Sequence, residues 1–326
     1  GGGGRRGRGR GTTDLIVDDP FAAARGVRHQ ALFYRSEQHY IDSTAPYIVD
    51  GLANDEPVLV AVPKYNLDML HDALGTDAAE VTLVDITEVG RNPGRMIALF
   101  GNFVAKYPGR RVRLVGECVW AGRSQLEYPA CLRLEALCNL AFDGHEVTGL
   151  CPYNAAQLDA RTLADARTTH PLLLQDGASV DSDDYAPGEA LARCNRPLPT
   201  NPAARTYTVE HVADLNPARS FAAGYATWLG LPTGRLSDLL LITTELATNS
   251  LQHTSSACRL ALWQHGRHLV CEASDTGRFD DPLGGHRPPT ADGGRGLLLV
   301  NAVADLVRTH TTAIGTTIQA YLALAA

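Results

Sequence analysis

Five short apolar runs constrain this chain more than any other feature: "QALFY" (30–34), "PVLVAVP" (57–63), "VTLVDI" (81–86), "RVRLVGECVW" (111–120) and "VTGLCPY" (147–153). A strand buried on one face alternates apolar and polar residues. Near-continuous apolar strands separated by helix-length segments need cover on both faces, which a parallel sheet flanked by helices provides. The amphipathic stretches between them, such as "SEQHYIDSTAPYIVDGL", "NLDMLHDAL", "PGRMIALFGNFVAKY" and "CLRLEALCNLAFD", supply those helices. Residues 27–175 are therefore expected to form an α/β domain.

The pattern breaks between 176 and 206, where acids, glycine and prolines follow one another without periodicity, so a linker or irregular connection is expected there. A second domain, 207–326, has a different grammar. "LNPARSFAAGYATWLGL" (215–231) predicts a helix with Asn216 as N-cap ahead of Pro217, and "RLSDLLLITTELATNSLQH" (235–253) predicts a longer one. "CRLALWQHGRHLVCEASD" (258–275) alternates around Gly266-Arg267 as a hairpin, "RGLLLVNAVADLV" is helical, and "TIQAYLAL" closes as a strand. Helices segregated from antiparallel strands predict an α+β sandwich.

Composition narrows the function classes. At 326 residues the chain can bury two cores. The net charge of −7 disfavours a nucleic-acid surface, which needs clustered positive charge. The one basic cluster, "GGGGRRGRGRG" within residues 1–26, is expected to be a disordered Gly/Arg-rich leader, with an Arg-Gly RNA-binding tail as the alternative. No run of about 18 apolar residues occurs, so neither membrane spanning nor export is expected, and the location is expected to be cytoplasmic. Of seven cysteines, Cys118, Cys131, Cys138, Cys151, Cys258 and Cys271 fall in apolar stretches and none forms a C-x-x-C pair, which suits buried reduced thiols.

The chemistry concentrates in the second domain. In "TTELATNSLQHT" (243–254), Glu245, Asn249 and His253 are four residues apart, and each step of four drifts only ~40° around a helix. They form one polar ridge, with Leu239, Ile242 and Leu246 on another face. In "SDTG" an apolar strand ends on Asp275, and Gly277 follows two residues later. "DGGRGLLLVNAVAD" runs from glycines directly into an apolar helix, and "GTT" (315–317) precedes the last strand. A carboxylate at a strand end can accept an adenine amino N–H, and a glycine beside it lets a flat base approach the backbone. Glycines before a helix free N–H groups for phosphates. A carboxamide such as Asn249 offers a neutral oxygen to Mg²⁺, and a carboxylate one turn earlier can take a proton from an attacking hydroxyl.

On these motifs, residues 215–326 resemble the GHKL ATPase fold, shared by histidine kinases, gyrase-type ATPases, Hsp90 and anti-sigma-factor serine kinases. "ELATNSLQH" resembles its N box, "DTG" its D-x-G box, "GGRGLLLV" its second glycine box and "GTT" its closing Gly-Thr. The resemblance implies ATP and Mg²⁺ as cofactors. Asn249 would hold the metal and Glu245 would be the catalytic base; Asp275 and Gly277 would bind the adenine, Gly294 and Gly296 would cap the phosphates, and Thr316 would support the base pocket. His253 is as well explained as a neutral helix-end histidine as by ligand contact. Arg278, Arg287 and Arg295 lie in or beside the segment between the glycine boxes, where one could reach the γ-phosphate and the rest would be solvated.

The first domain resembles the MEDS sensory domain, named for methanogens, methylotrophs and the dichloromethane regulator. "HQALFYRSEQHYIDSTAPYIVDGLANDEPVLVAVP", "GRNPGRMI", "GECVWAGRS", "RLEALCNLAF" and "LCPYNAAQLD" carry the resemblance. MEDS domains are similar to RecA-like P-loop folds, but this sequence has no G-x-x-x-x-G-K-[ST], so no ATP hydrolysis is expected there. Parallel sheets bind ligands at the carboxyl ends of their strands. A sensory pocket for a small molecule is therefore expected around Tyr34, Arg35, Arg91, Asn92, Glu117, Trp120 and Tyr153, against a plain structural reading in which Arg91 pairs with Glu117 and Trp120 is a core residue.

A histidine autokinase needs a phosphoacceptor histidine on a helical hairpin, and His211 in "YTVEHVADL" has none before it. The short ATPase-like domain instead resembles anti-sigma kinases. The expectation is a cytoplasmic regulator whose MEDS domain controls an ATP-dependent serine kinase acting on a STAS-type antagonist and binding a sigma factor. A non-catalytic nucleotide-binding switch is the main alternative and an atypical histidine kinase the lesser one; a homodimer is left open.

Overall fold

The computed structural model describes residues 26–286 and 294–324. Twelve strands run β1 Val27–Tyr34, β2 Val58–Val62, β3 Thr82–Asp85, β4 Val112–Gly116, β5 Val147–Asn154, β6 Leu172–Gln175, β7 Ala178–Asp181, β8 Arg205–Val209, β9 Cys258–His265, β10 His268–Asp275, β11 Leu306–Thr312 and β12 Gly315–Ala323. The helices are α1 Glu37–Ala53, α2 Lys64–Leu74, α3 Ile86–Val89, α4 Met96–Val104, α5 Tyr128–Ala141, α6 Ala160–Thr169, α7 Pro187–Cys194, α8 Leu215–Leu229, α9 Leu236–His253 and α10 Arg295–Val303.

The first seven strands form one sheet in the order β3-β2-β4-β5-β1-β6-β7, parallel except for the antiparallel edge pair β6–β7. Every residue of β2 and β4 is buried, as a doubly covered sheet demands. Alternation divides them between two cores. Val58, Val60 and Val62 pack with Tyr40, Ile48 and Leu70 of α1 and α2, while Leu59 and Ala61 pack with Met96, Phe100 and Leu137 of α4 and α5. Ser36 stops β1 from running on, because its side chain accepts from His39 N and caps α1.

The second sheet has five strands in the order β11-β12-β10-β9-β8, all antiparallel. The β9–β10 hairpin closes His265 against His268 around Gly266-Arg267, and Gly266 takes φ 56°. Helices α8, α9 and α10 cover one face through Leu239, Ile242, Leu246, Leu262, Cys271 and Leu322. The opposite face is covered as well: Trp263, Val270 and Tyr321 pack with Leu126 and Ala130 of the first domain and with Ala204.

Three local expectations are corrected. Segment 176–206 contains β7 on the edge of the first sheet and α7 packed on α5 through Ala190 and Cys194 against Leu132 and Ala136. Asn216 is not an N-cap. A turn at Val212–Asp214 precedes α8, and the Asp214 carboxylate accepts from the backbone N–H groups of Glu210 and His211, so the chain enters the helix earlier. Strands β6, β8 and β11 have no counterpart in the sequence expectations; each is short or partly polar and lies at or next to a sheet edge. All seven cysteines are buried without a disulfide. Residues 1–25 lie outside the described part, and with them nearly all of the Gly/Arg-rich leader. No helix among the described residues is long and apolar enough to cross a membrane.

Candidate functional site

A cavity of about 410 Å³ opens between α9, the end of β10, the start of α10 and β12. Leu246, Ala273, Leu297, Ile318 and Phe279 make its apolar walls, and Asn249, His253, Asp275 and Thr316 bring polar atoms to it. The buried stripe of α9, Leu239–Ile242–Leu246, anchors the helix on the sheet, and the adjoining ridge brings Asn249 and His253 to the cavity beside Leu246.

The turn after β10 is clamped from both sides. Asp275 Oδ1 accepts from Gly277 N at 2.8 Å, and Asp275 Oδ2 accepts from Ser250 Oγ at 2.6 Å. Thr316 Oγ1 donates to Gly277 O at 2.8 Å and meets Thr311 Oγ1 at 3.1 Å. A Cβ on Gly277 would overlap the Thr254 methyl group, so glycine is required by space rather than by backbone angle. Two ordered hydrogen bonds hold the Asp275 carboxylate at the cavity wall, with lone pairs left over for a ligand's N–H.

At the other end of the cavity, Gly294 takes φ 93° as N-cap of α10, a conformation that costs an L-residue about 1–2 kcal/mol. Gly294 has no side chain to cap the N–H groups of the first turn of α10. Gly296, in that turn, lies against the ridge of α9: a Cβ there would come within 2.7 Å of Glu245 Oε2 and 3.1 Å of Asn249 Oδ1.

Of the residues expected here, Asn249, Asp275, Gly277, Gly294 and Thr316 line the cavity. Glu245 and Gly296 do not; they touch each other beside it. His253 and Arg278 also line it, Arg278 being exposed and paired with Asp280. Arg295 is exposed at the first residue of α10, and Arg287 lies outside the described residues. Ser250, Phe279 and Gly285 are additions. Ser250 could have been found as a polar residue of α9's buried face, next to Asn249, whereas Phe279 and Gly285 come from a loop with no periodic signal.

A second, wider cavity of about 740 Å³ lies at the carboxyl ends of β1, β2, β4 and β5. Tyr34, Arg35, Glu117 and Trp120 line it, as expected, together with Asn66 and Tyr65, which the sequence reading did not single out. Glu117 is 2% exposed; its Oε1 accepts from the Tyr34 hydroxyl at 2.9 Å and its Oε2 from Asn66 Nδ2. Burial pushes the Glu117 carboxyl up to about 7, against the downward pull of the Asn66 and Tyr34 hydrogen bonds. Burial likewise raises the Tyr34 phenol, with the Glu117 charge adding to it.

Three of the expected residues are elsewhere. Tyr153 is buried between Phe33 and His170, with ring centroids at 5.8 and 5.6 Å. Asn92 is buried with Nδ2 donating to Asn301 O at 2.8 Å. Arg91 is exposed, its carbonyl accepting from Arg123, and Glu117 takes Tyr34 and Asn66 as partners, so the Arg91–Glu117 pair of the alternative structural reading does not form. Trp120 is at the cavity edge with the Arg123 guanidinium 3.6 Å over its ring, partly buried against the core that holds Met96 and Phe100.

Residues 28–171 match the MEDS family, described as MEthanogen/methylotroph, DcmR Sensory domain. Residues 208–322 match the histidine kinase-like ATPase domain. The chain carries a MEDS domain followed by a histidine kinase-like ATPase domain. The comparison with curated proteins gives no match. Among solved structures, the RsbU and RsbW domains of Rv1364c from Mycobacterium tuberculosis are similar over 36% of this chain and 32% of that one, at 14% identity and a TM-score of 0.28. The matched part is thus about a third of that structure's length.

The wider cavity belongs to the MEDS domain and the narrower one to the ATPase domain. Between them runs a hydrogen-bonded seam centred on α10. Arg95 of the MEDS domain donates through Nε to Asn301 O at 3.1 Å and through a terminal nitrogen to Ala304 O at 2.6 Å. Asn301 Nδ2 in turn donates to Gly285 O at 3.0 Å, on the loop that borders the ATPase cavity. The His286 imidazole, held down to about 4 by burial and therefore neutral, meets Gly94 O at 3.3 Å. Gly94 is glycine because a Cβ there would overlap the Asn301 carboxamide.

Proposed function

We propose that the chain is an anti-sigma-factor kinase-like regulator: an ATP-dependent serine kinase that acts on a STAS-type antagonist and also binds a sigma factor, under control of its MEDS domain. The observation that carries the nucleotide part is the clamped Asp275–Gly277–Thr316 turn at the wall of an apolar cavity whose far end is the glycine-led start of α10. A flat base fits between Leu246, Ala273 and Ile318, with Asp275 accepting its exocyclic N–H. The first turn of α10 offers N–H groups to the phosphates.

The residues also fit Mg²⁺. Asn249 supplies one neutral oxygen on the ridge facing α10, and Mg²⁺ is commonly held by one or two protein ligands with waters and phosphate oxygens completing its shell. When bound, the ion would neutralise phosphate charge. The chain's own share is positioning: Asn249 and the α10 N–H groups orient the triphosphate, and Glu245, one turn from Asn249, takes the proton of the attacking serine hydroxyl.

A specific observation favours a second reading. Glu245 does not line the cavity, which suits a nucleotide-binding switch that works through protein contacts without transferring phosphate. An atypical histidine kinase has less support, since β7 and α7, the elements before β8, pack on the MEDS domain and offer no free helical hairpin.

The deciding experiment is calorimetry of ATP with and without Mg²⁺ on the full chain, wild type against Asp275→Ala and Asn249→Ala. Binding lost in the first and Mg²⁺ dependence lost in the second support the reading; a folded wild type that binds no ATP rejects it. Acid-stable phosphate on an added STAS-type protein, abolished in Glu245→Ala, separates the kinase from the switch.

A further inference from the structure

Away from both cavities, four buried side chains of the MEDS domain turn their polar atoms toward one point. His29 comes from β1, Glu135 from α5, Cys151 from β5, and His170 is the residue that ends α6. They are 5%, 2%, 9% and 0% exposed. Neither the proposed kinase chemistry nor the sensory pocket uses them.

Their hydrogen bonds fix both histidine tautomers. Asn139 Nδ2 donates to Thr169 O at 2.8 Å, so its carbonyl oxygen faces His29 Nδ1 at 3.1 Å and His29 carries its proton on Nδ1. His170 Nδ1 lies 2.7 Å from Ala166 O, which can only accept, so His170 is also protonated on Nδ1. Both Nε2 lone pairs therefore face the Glu135 carboxylate, at 3.4 Å from His29 and 3.5 Å from His170, and the Cys151 S–H can donate to His29 Nε2 at 3.3 Å or to Glu135 Oε2 at 3.6 Å but not to His170 Nε2 in the same state. His170 Nε2 makes no hydrogen bond among the described residues. Lone pairs facing a carboxylate in a dry site repel unless a cation sits between them.

Four of the six spacings are those of a coordination shell. Zinc bonds of ~2.0–2.3 Å in a tetrahedron put neighbouring ligand atoms about 3.3–3.6 Å apart. Here His29 Nε2–Glu135 Oε2 is 3.4 Å, His170 Nε2–Glu135 Oε2 3.5 Å, His29 Nε2–Cys151 Sγ 3.3 Å and Cys151 Sγ–Glu135 Oε2 3.6 Å. All four ligand atoms lie within 4.8 Å of one another.

We propose that His29, Glu135, Cys151 and His170 form a structural zinc site in the MEDS domain. On binding, the Cys151 S–H bond breaks, a sulfur–zinc bond forms, and the proton leaves to solvent. Thiolate and carboxylate then balance the 2+ charge with two neutral imidazoles, so the buried centre carries no net charge. One thiolate and two imidazoles select zinc over the oxygen-seeking Mg²⁺ and Ca²⁺. Four protein ligands leave no open position, so the ion joins β1, β5, α5 and the end of α6 rather than reacting. Asn139 is the residue that orients His29 from behind, as such sites require.

The test is the metal content of the full chain purified without chelator, followed by zinc removal and titration with zinc or cobalt. Expected are one zinc per chain, a rise in melting temperature on zinc return, and a cobalt derivative with tetrahedral d–d bands and a thiolate-to-cobalt charge-transfer band. Cys151→Ser and His170→Gln abolish tight binding, while Asn139→Ala weakens it about 10–100-fold. A folded wild-type chain with no zinc, or with a cobalt spectrum lacking thiolate charge transfer, overturns the proposal and leaves a hydrogen-bonded cluster. Equal zinc affinity in wild type and a folded Cys151→Ser variant overturns it too.

Discussion

Asp275 has two structural partners and, in the proposed function, one ligand partner. Asp275→Asn keeps an oxygen for Gly277 N but can turn an N–H toward an adenine amino group. ATP affinity is expected to fall ~10–100-fold while the fold persists, given about 1.5–3 kcal/mol for a hydrogen bond to a charged group. Calorimetry beside a urea melt reads both quantities. Glu117 offers a pH signature. Its folded value of about 7 lies above the ordinary 4.5, so between those values the folded chain holds a proton that the unfolded chain has lost. Stability therefore falls as pH rises through that window, by ~3 kcal/mol in all, and is free of this cost below it. Glu117→Gln is expected to flatten the slope, measured as urea midpoints across the same window. The Asp275–Gly277 turn was legible because the carboxylate ends an apolar strand two residues before a glycine. The partners of Glu117 were not, since Tyr34 reaches it from the end of β1 and Asn66 from the first turn of α2.

At the scale of elements, α9 and α10 define the ATPase cavity by the faces they bury. Gly296 tests their contact. Alanine is about 1 kcal/mol better than glycine inside a helix. Yet a Cβ at 296 would come within 2.7 Å of Glu245 Oε2, the far end of a flexible side chain that can move aside. Gly296→Ala is expected to keep or raise thermal stability while lowering phosphoryl transfer. Equal loss of stability and activity would mean that the contact is only structural. The periodicity of α9 announced both its buried stripe and its polar ridge. It could not announce that the ridge's first member, Glu245, stands beside the cavity and not in its wall, because that depends on where α10 begins. Strand β8 escaped notice for the same kind of reason, since its partner β9 lies far along the chain, whereas β11, paired with the adjacent β12, was hidden by its polar Thr309–Thr312 end.

For the whole molecule, the seam through Arg95, Asn92 and Asn301 ties the MEDS domain to the carboxyl end of the helix whose other end faces the nucleotide cavity. A guanidinium on the last carbonyls of α10 also suits the helix dipole. Arg95→Ala, remote from the nucleotide, is expected to change ATP affinity in the full chain, as calorimetry would read. An unchanged Kd would show that the seam joins the domains without coupling their sites.

Local sequence determined the parallel sheet, the hairpin of β9 and β10, the stripe of α9, and the Asp275–Gly277 turn, because each follows from spacing or from a backbone demand that a few neighbouring residues meet. Tertiary structure decided the rest. It packed Leu126 and Ala130 on the second sheet, made α7 part of the first domain, sent Asn92 to the seam instead of the sensory pocket, and gathered His29, Glu135, Cys151 and His170 at one buried point. Such convergence leaves no periodic trace, since packing of strands and helices that are neighbours in space but far apart in the chain brings those atoms together.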